Sequence, residues 1–376
     1  MFLTEVIAHR VPIKARPAHE LARRLDEPSA LAPYRRRRPN IFGPVAEALV
    51  NQRRWYEVTA ESHTPEGGVY LFENAVTCEG LLFAADWSLT RESLINRQHE
   101  NAFVGLTRGA GDDFLLDPAR FERRDLTFER CALIRQQWDP NYGHWIVEGL
   151  PRMAPLLAAA ALDGVVFLVT NTSAAMMKVY RDSLKWFGVK PEQLRFVGSE
   201  IIAARQLIYP APLTIQPWVK SPRIAATLEQ LSQRVAATFT GVAPKKIFIR
   251  RAPGSRRQLL NQDEVRDFFL ERDYVEVAPY ELTFDQQVAV FHGATHVVGV
   301  LGAECTNFAF SPPGVRFLGF APEAMQDDFF WDLASHKGSE YFCVHGAPKD
   351  PADGMNASFS VDLSLLREAF AAFEGA

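Results

Sequence analysis

The chain has 376 residues, 47% of them hydrophobic, and a formal net charge of −4. That length asks for two or three packed units rather than one core, and the charge balance gives no basis for nucleic-acid binding. Four widely spaced cysteines (Cys78, Cys131, Cys305 and Cys343) form no C-x-x-C pair, which argues against a zinc site and fits a reduced, cytoplasmic protein.

The amino terminus, MFLTEVIAHRVPIKARP, has no long apolar run followed by a cleavage site, so no secretory signal is expected. Arg35-Arg36-Arg37-Arg38 is a local basic run. A solvated loop is its ordinary reading; contact with anionic lipid headgroups or a charged glycan is the functional alternative. Residues 1–125 read as a β-rich extension, with strands predicted at Val69 to Phe72, Ala75 to Cys78 and Leu81 to Ala85 and a polar loop over Gly109 to Asp113.

An alternating pattern follows over 126–240. A strand at Cys131 to Gln136 leads to Asn141, a helix cap, and a helix to about Ala161. Asp163-Gly164 splits the apolar run Ala154 to Thr170 into a helix end and a strand from Val165, which makes it a poor membrane span. Ala174 to Phe187 is a predicted helix ended by a left-handed Gly188. Gln206 to Tyr209 is a strand, and Ser221-Pro222 opens a long helix.

A second alternating series occupies 241–345. It has strands at Lys246 to Arg250, Tyr274 to Val277, His296 to Val300 and Arg316 to Phe320, and capping boxes at Asn261 to Glu264 and Thr283 to Gln286. A tail, 346–376, carries a helix over Leu363 to Phe373. Two βα series argue for two doubly wound α/β domains, with ligands beyond the carboxyl ends of the strands, in a cleft between them.

Three constellations could carry chemistry. His144 and Glu148, four apart at a helix start, share one face and could take a proton from a hydroxyl; the ordinary reading is a loop hydrogen bond and a dipole contact. Arg250, Arg251, Arg256 and Arg257 flank a Pro-Gly turn directly after a strand. Guanidinium forks suit phosphate, although basic loops are common; Arg251 and Arg257 are favoured as the inward pair. Gly302-Ala303 begins a short helix, where backbone N–H groups and the helix dipole suit an anion. Thr306 and Asn307 in its first turn either donate to a ligand or satisfy local backbone. Cys305 reads as packing. No Walker A loop, G-x-S-x-G elbow, G-x-G-x-x-G turn or D-x-D pair is present. A bound diphosphate would therefore be neutralised by arginines and helix dipole, with no metal.

These segments resemble glycosyltransferase family 61. GHWIVEGLPR (143–152) is similar to its H-W-x-x-[DE]-x-L-P-R, IFIRRAPGSRRQLLNQDEV (247–265) to its strand and arginine loop, and FDQQVAVFHGATHVVGVLGAECTNFAFSPPG (284–314) to its G-A-x-x-T-N-x-x-F-x-x-P-G block. The resemblance implies a GT-B-type fold: two Rossmann-like domains facing a cleft, here with a β-rich N-terminal extension. It also implies inverting transfer from a nucleotide sugar, without metal or cofactor, to a glycan or glycolipid acceptor, as in bacterial capsular or surface polysaccharide synthesis. Arg250, Arg251, Arg256, Arg257, Gly302, Ala303, Glu304, Thr306 and Asn307 then fall on the donor side, and Glu148 and His144 at the reacting side. The chain departs from the family at Leu301, where many members have His, at Glu304, where a small residue is usual, and at Gly319, where an acidic residue is frequent; Glu323 is a candidate replacement. These departures motivate a non-catalytic glycan- or nucleotide-binding homologue as the alternative; a sugar-nucleotide epimerase is a third reading. The expected location is cytoplasmic, with peripheral membrane contact as an option, and the oligomeric state is open.

Overall fold

The computed structural model describes residues 11–27, 33–43, 47–95, 102–103, 106–109, 111–117, 124–215 and 217–375. Ala110 of the expected polar loop and the first ten residues lie outside them. The chain divides into two compact units, one of residues 1–30 and 66–216, the other of 31–65 and 217–376.

The first unit is built on a twelve-stranded sheet. At one side Leu194–Val197, Val166–Thr170, Leu126–Leu133 and Ile202–Pro210 run parallel. Val166–Thr170 is buried along almost its whole length, as a parallel strand covered on both faces requires. The predicted β-rich extension is not a separate layer. Val69–Cys78 pairs antiparallel with Ile202–Pro210, from Val69↔Pro210 to Thr77↔Ile202, and the sheet continues through Leu81–Phe83, Leu89–Thr90 and Val11–Arg16. Residues 1–125 thus split between the units, and their longest strand completes the sheet begun after 126.

The second unit has a seven-stranded sheet in the order Val275–Val277, Lys246–Ile249, His296–Val300, Arg316–Pro322, Tyr341–Pro348, Phe359–Ser360, with Asn40–Phe42 added parallel to Tyr341–Pro348. All pairings are parallel except the one between Tyr341–Pro348 and Phe359–Ser360. From Lys246–Ile249 the chain first builds Val275–Val277 on one side and then His296–Val300 on the other. The strand order therefore reverses between Ile249 and Val300, the kind of switch point beside which open α/β sheets bind ligands.

Phe248, Val298, Leu318, Phe320 and Phe342 of this sheet form one core with Phe269 and with Leu366, Ala369 and Phe373 of the helix Leu363–Gly375. The carboxyl-terminal helix therefore belongs to the second unit, and the expected boundary at 345 falls inside the strand Tyr341–Pro348.

Caps follow the sequence at Ser221 and Thr283, whose side chains accept from Arg223 N and Gln286 N. Gly188 ends its helix at φ 79°. Asn261 departs from its expected role. It makes no cap bond and instead exchanges two hydrogen bonds with the backbone of Val361, at 2.9 and 3.1 Å. Among the described residues no helix is long and apolar enough to cross a membrane.

Candidate functional site

In the second unit the arginine loop leaves Ile249 and the glycine turn leaves Val300, the two strand ends at the switch point. Arg251 is buried. Its Nη1 donates to Glu304 Oε2 at 2.6 Å, and its Nε and Nη2 donate to Arg256 O at 3.3 and 2.7 Å. The guanidinium lies against Gly302, where any Cβ would collide with it. Gly302 is extended (φ 174°), so close approach and not backbone strain demands glycine there.

Arg257 stands beside this pair. It adopts a left-handed backbone, φ 60°, which costs a non-glycine residue on the order of 1 kcal/mol. Nη1 reaches Met325 Sδ at 3.7 Å, and the buried Nε has no hydrogen-bond partner among the described residues. Burial, then the positive charge of Arg251, lowers its pKa, against the opposing fields of Asp327, Cys305 and Glu304. A half-buried guanidinium with an unused donor has the charge and the hydrogen-bonding capacity to hold an anion.

The other members are placed differently. Arg250 turns towards Glu276, 3.9 Å away. Arg256 is exposed and lends its carbonyl to Arg251. Ala303 and Glu304 are partly exposed. Thr306 and Asn307 are buried. Asn307 Nδ2 donates to Gln287 Oε1 and Glu304 O, at 3.0 and 3.1 Å, and so ties the turn to the helix Phe284–His292. Thr306 Oγ1 is buried without a partner among the described residues. The helix after Gly302 is a 3₁₀ helix, Ala303–Phe310.

Two residues absent from the sequence reading bear on this site. Asp327 is buried, accepts from Tyr341 Oη at 2.8 Å and from Phe330 N at 3.2 Å, and is pushed up to about 6, chiefly by burial. Met325 packs on Arg257. Neither sits in a motif, so no local pattern could have found them. The two unusual residues Leu301 and Gly319 touch: the Leu301 side chain fills the space that a Cβ on Gly319 would need.

In the first unit Asn141 caps a helix that starts as α (Tyr142–His144), widens into a π turn (Trp145–Gly149) and tightens to 3₁₀ (Leu150–Arg152). A single π turn inside a helix frequently marks a functional site. His144 Nδ1 lies 2.5 Å from Glu148 Oε1, and Gln136 Nε2 donates to Glu148 Oε2 at 2.9 Å. The Glu148 side chain is fully buried, whereas that of His144 is 27% exposed. Trp138, itself exposed, stacks on the imidazole with centroids 5.8 Å apart. Beneath lies Asp139, fully buried and raised to about 7 by desolvation. Its Oδ2 accepts from Gln136 N at 2.7 Å, and its Oδ1 has no partner among the described residues. Arg152 is structural: it donates to the carbonyls of Leu133, Ile134 and Pro210. Trp145 and Leu150 are core residues. Among the described residues no acidic, His or Cys cluster could hold a metal ion.

The family model described as Glycosyltransferase 61 matches residues 142–318. The match begins on the helix of His144 and Glu148, takes in the arginine loop and the Gly302 turn, and ends in the strand Arg316–Pro322. Comparison with curated proteins finds no match.

Proposed function

We propose, from residues 142–318 belonging to glycosyltransferase family 61, that this chain moves a sugar from a nucleotide-sugar donor to a glycan or glycolipid acceptor with inversion at the anomeric carbon. In this reading its units are the two Rossmann-like halves of a GT-B-type enzyme, acting in the cytoplasm on bacterial surface or capsular polysaccharide.

The observation that carries the donor half is the gathering of Arg251 and Arg257 at the Gly302 turn, beside the strand-order switch. The leaving diphosphate departs with the electron pair of the bond it had made to the anomeric carbon. The two guanidinium groups and the backbone N–H groups of the turn meet that growing charge. No metal or cofactor is called on, because the side chains that would neutralise the phosphates are cations. Donor phosphate takes the place of the Glu304 carboxylate on Arg251, and Arg257 offers the donor it has not used.

On the acceptor half, the hydroxyl oxygen forms the new bond while its proton goes to His144 Nε2. Glu148 fixes the tautomer by holding Nδ1, which makes Glu148 a positioning residue and His144 the base. The sequence left that choice open. Burial of Glu148 and partial exposure of His144 favour this assignment.

Thermal denaturation with a panel of nucleoside diphosphates tests the donor half. At least one should stabilise the wild type and fail to stabilise Arg257→Ala. Stabilisation of neither protein by any of them overturns the reading. One observation favours a non-catalytic binder: Glu304 already satisfies Arg251. Transfer from labelled donors to a glycolipid extract separates the two, since a binder gives nucleotide stabilisation without product.

A further inference from the structure

In the arginine run at 35–38, Arg35, Arg37 and Arg38 are exposed as its composition suggests, and Arg36 is not. Arg36 is buried within the second unit, with Nε 2.5 Å from Asp332 Oδ1 and Nη1 donating to Thr59 O at 2.7 Å. Its guanidinium lies 4.8 Å over the Trp331 ring. The backbone on either side is pinned: Arg36 N donates to Ala60 O at 2.8 Å, and Trp331 Nε1 donates to Arg37 O at 2.7 Å. Pro33–Arg35 also pairs with Glu61–His63.

This frame holds Arg35 and Arg38 on the rim of a cavity of about 610 Å³, which Arg53 also lines. That is the size of a small-molecule site. All three arginines are exposed. Glu61 pairs with Arg35 at 3.9 Å in water, and among the described residues Glu57 is the one carboxylate that lines the cavity. It pairs with Arg38 at 3.7 Å, both side chains mostly in water, so a better anion exchanges with it at little cost. Arg53 spends one N–H on Ile41 O. Half-buried Pro39, Ile41 and Phe42 supply an apolar wall.

We propose that this cavity binds a phosphate ester, with the phosphate on Arg35, Arg38 and Arg53 and the esterified group against Pro39, Ile41 and Phe42. Three planar guanidinium groups on a fixed frame match phosphate oxygens, and the volume exceeds what a bare anion fills. The ligand is either a soluble phosphorylated molecule or the headgroup of an anionic phospholipid. The inference does not rest on the transfer reading, since none of these residues belongs to the donor loop.

Two assays on the full chain distinguish the sources. Calorimetry with glycerol 3-phosphate reads a soluble ester; flotation with phosphatidylcholine vesicles, with and without phosphatidylglycerol, reads a headgroup. Binding in either assay is expected, with the combined variant Arg35→Gln, Arg38→Gln, Arg53→Gln weakened at least about 10-fold. Glu57→Gln should bind about 3-fold tighter, a gain that damage to the fold would not give. Arg195→Gln with Arg205→Gln, which removes two exposed cations elsewhere, should match the wild type. No binding by the wild type in either assay, or an equal loss in the Arg195/Arg205 control, overturns the proposal. Loss in Arg257→Ala but not in the triple variant also overturns it, and assigns the phosphate to the donor loop instead.

Discussion

Gly302, Glu304 and Arg251 form a contact set in which each residue explains another. With Gly302 replaced by alanine, the new methyl meets the Arg251 guanidinium. We expect a loss of about 1–3 kcal/mol in denaturant unfolding, together with loss of nucleotide-induced stabilisation. Glu304→Gln should act in the opposite sense on binding. It removes the internal anion from Arg251, and nucleoside diphosphate affinity by calorimetry should rise several-fold (about 1 kcal/mol). In the first unit His144→Ala should cut transfer about 10²–10⁴-fold. Glu148→Gln should retain more activity and shift the pH profile, because it disturbs only the orientation of the imidazole. Asp139 gives a pH test of stability. Its folded pKa, about 7, lies above the ordinary value of 3.8, so the folded chain holds the proton more tightly. Its contribution is present at low pH and lost as pH rises through 7. The wild type should lose stability between pH 4 and 8 relative to Asp139→Asn, by at most about 4 kcal/mol, read by urea denaturation across that range. Leu301 and Gly319, two of the departures noted in the sequence, form one contact, in which the Leu301 side chain fills the space beside Gly319.

Local elements were legible where their determinants were local. Thr283 and Gln286 are three residues apart, and their reciprocal cap forms as the sequence suggests. Asn261 has the same appearance but serves Val361, one hundred residues on, and no window of sequence contains both. The same holds for Val69–Cys78, whose partner strand begins at Ile202. The arginine loop and the glycine turn were legible as a pair because both follow β-strands of one alternating series. The burial of Glu148 was not, because a regular 3.6-residue period cannot announce a π turn. Asn261→Ala should therefore cost more than a cap. It leaves the Val361 backbone groups without partners, and about 2 kcal/mol of unfolding free energy should be lost, against about 1 kcal/mol for Thr283→Ala. Urea denaturation of the two variants side by side measures the contrast.

At the scale of the molecule, neither unit is assembled from one continuous stretch of chain. Residues 31–65 complete the second sheet with Asn40–Phe42 and supply the guanidinium that neutralises Asp332. A second unit cut to 217–376 would leave a carboxylate buried without that partner and an uncovered sheet edge. Its expression should give aggregated protein, while co-expression with a 31–65 peptide should recover part of it in the soluble fraction. Arg36 and Asp332 are 296 positions apart. At the ribosome, the segment bearing Arg36 emerges early and must wait, unpaired, while most of the polypeptide is made. Maturation of the second unit consequently waits until Trp331 and Asp332 have been made, and the arginine-rimmed cavity cannot form on a nascent fragment that stops short of them.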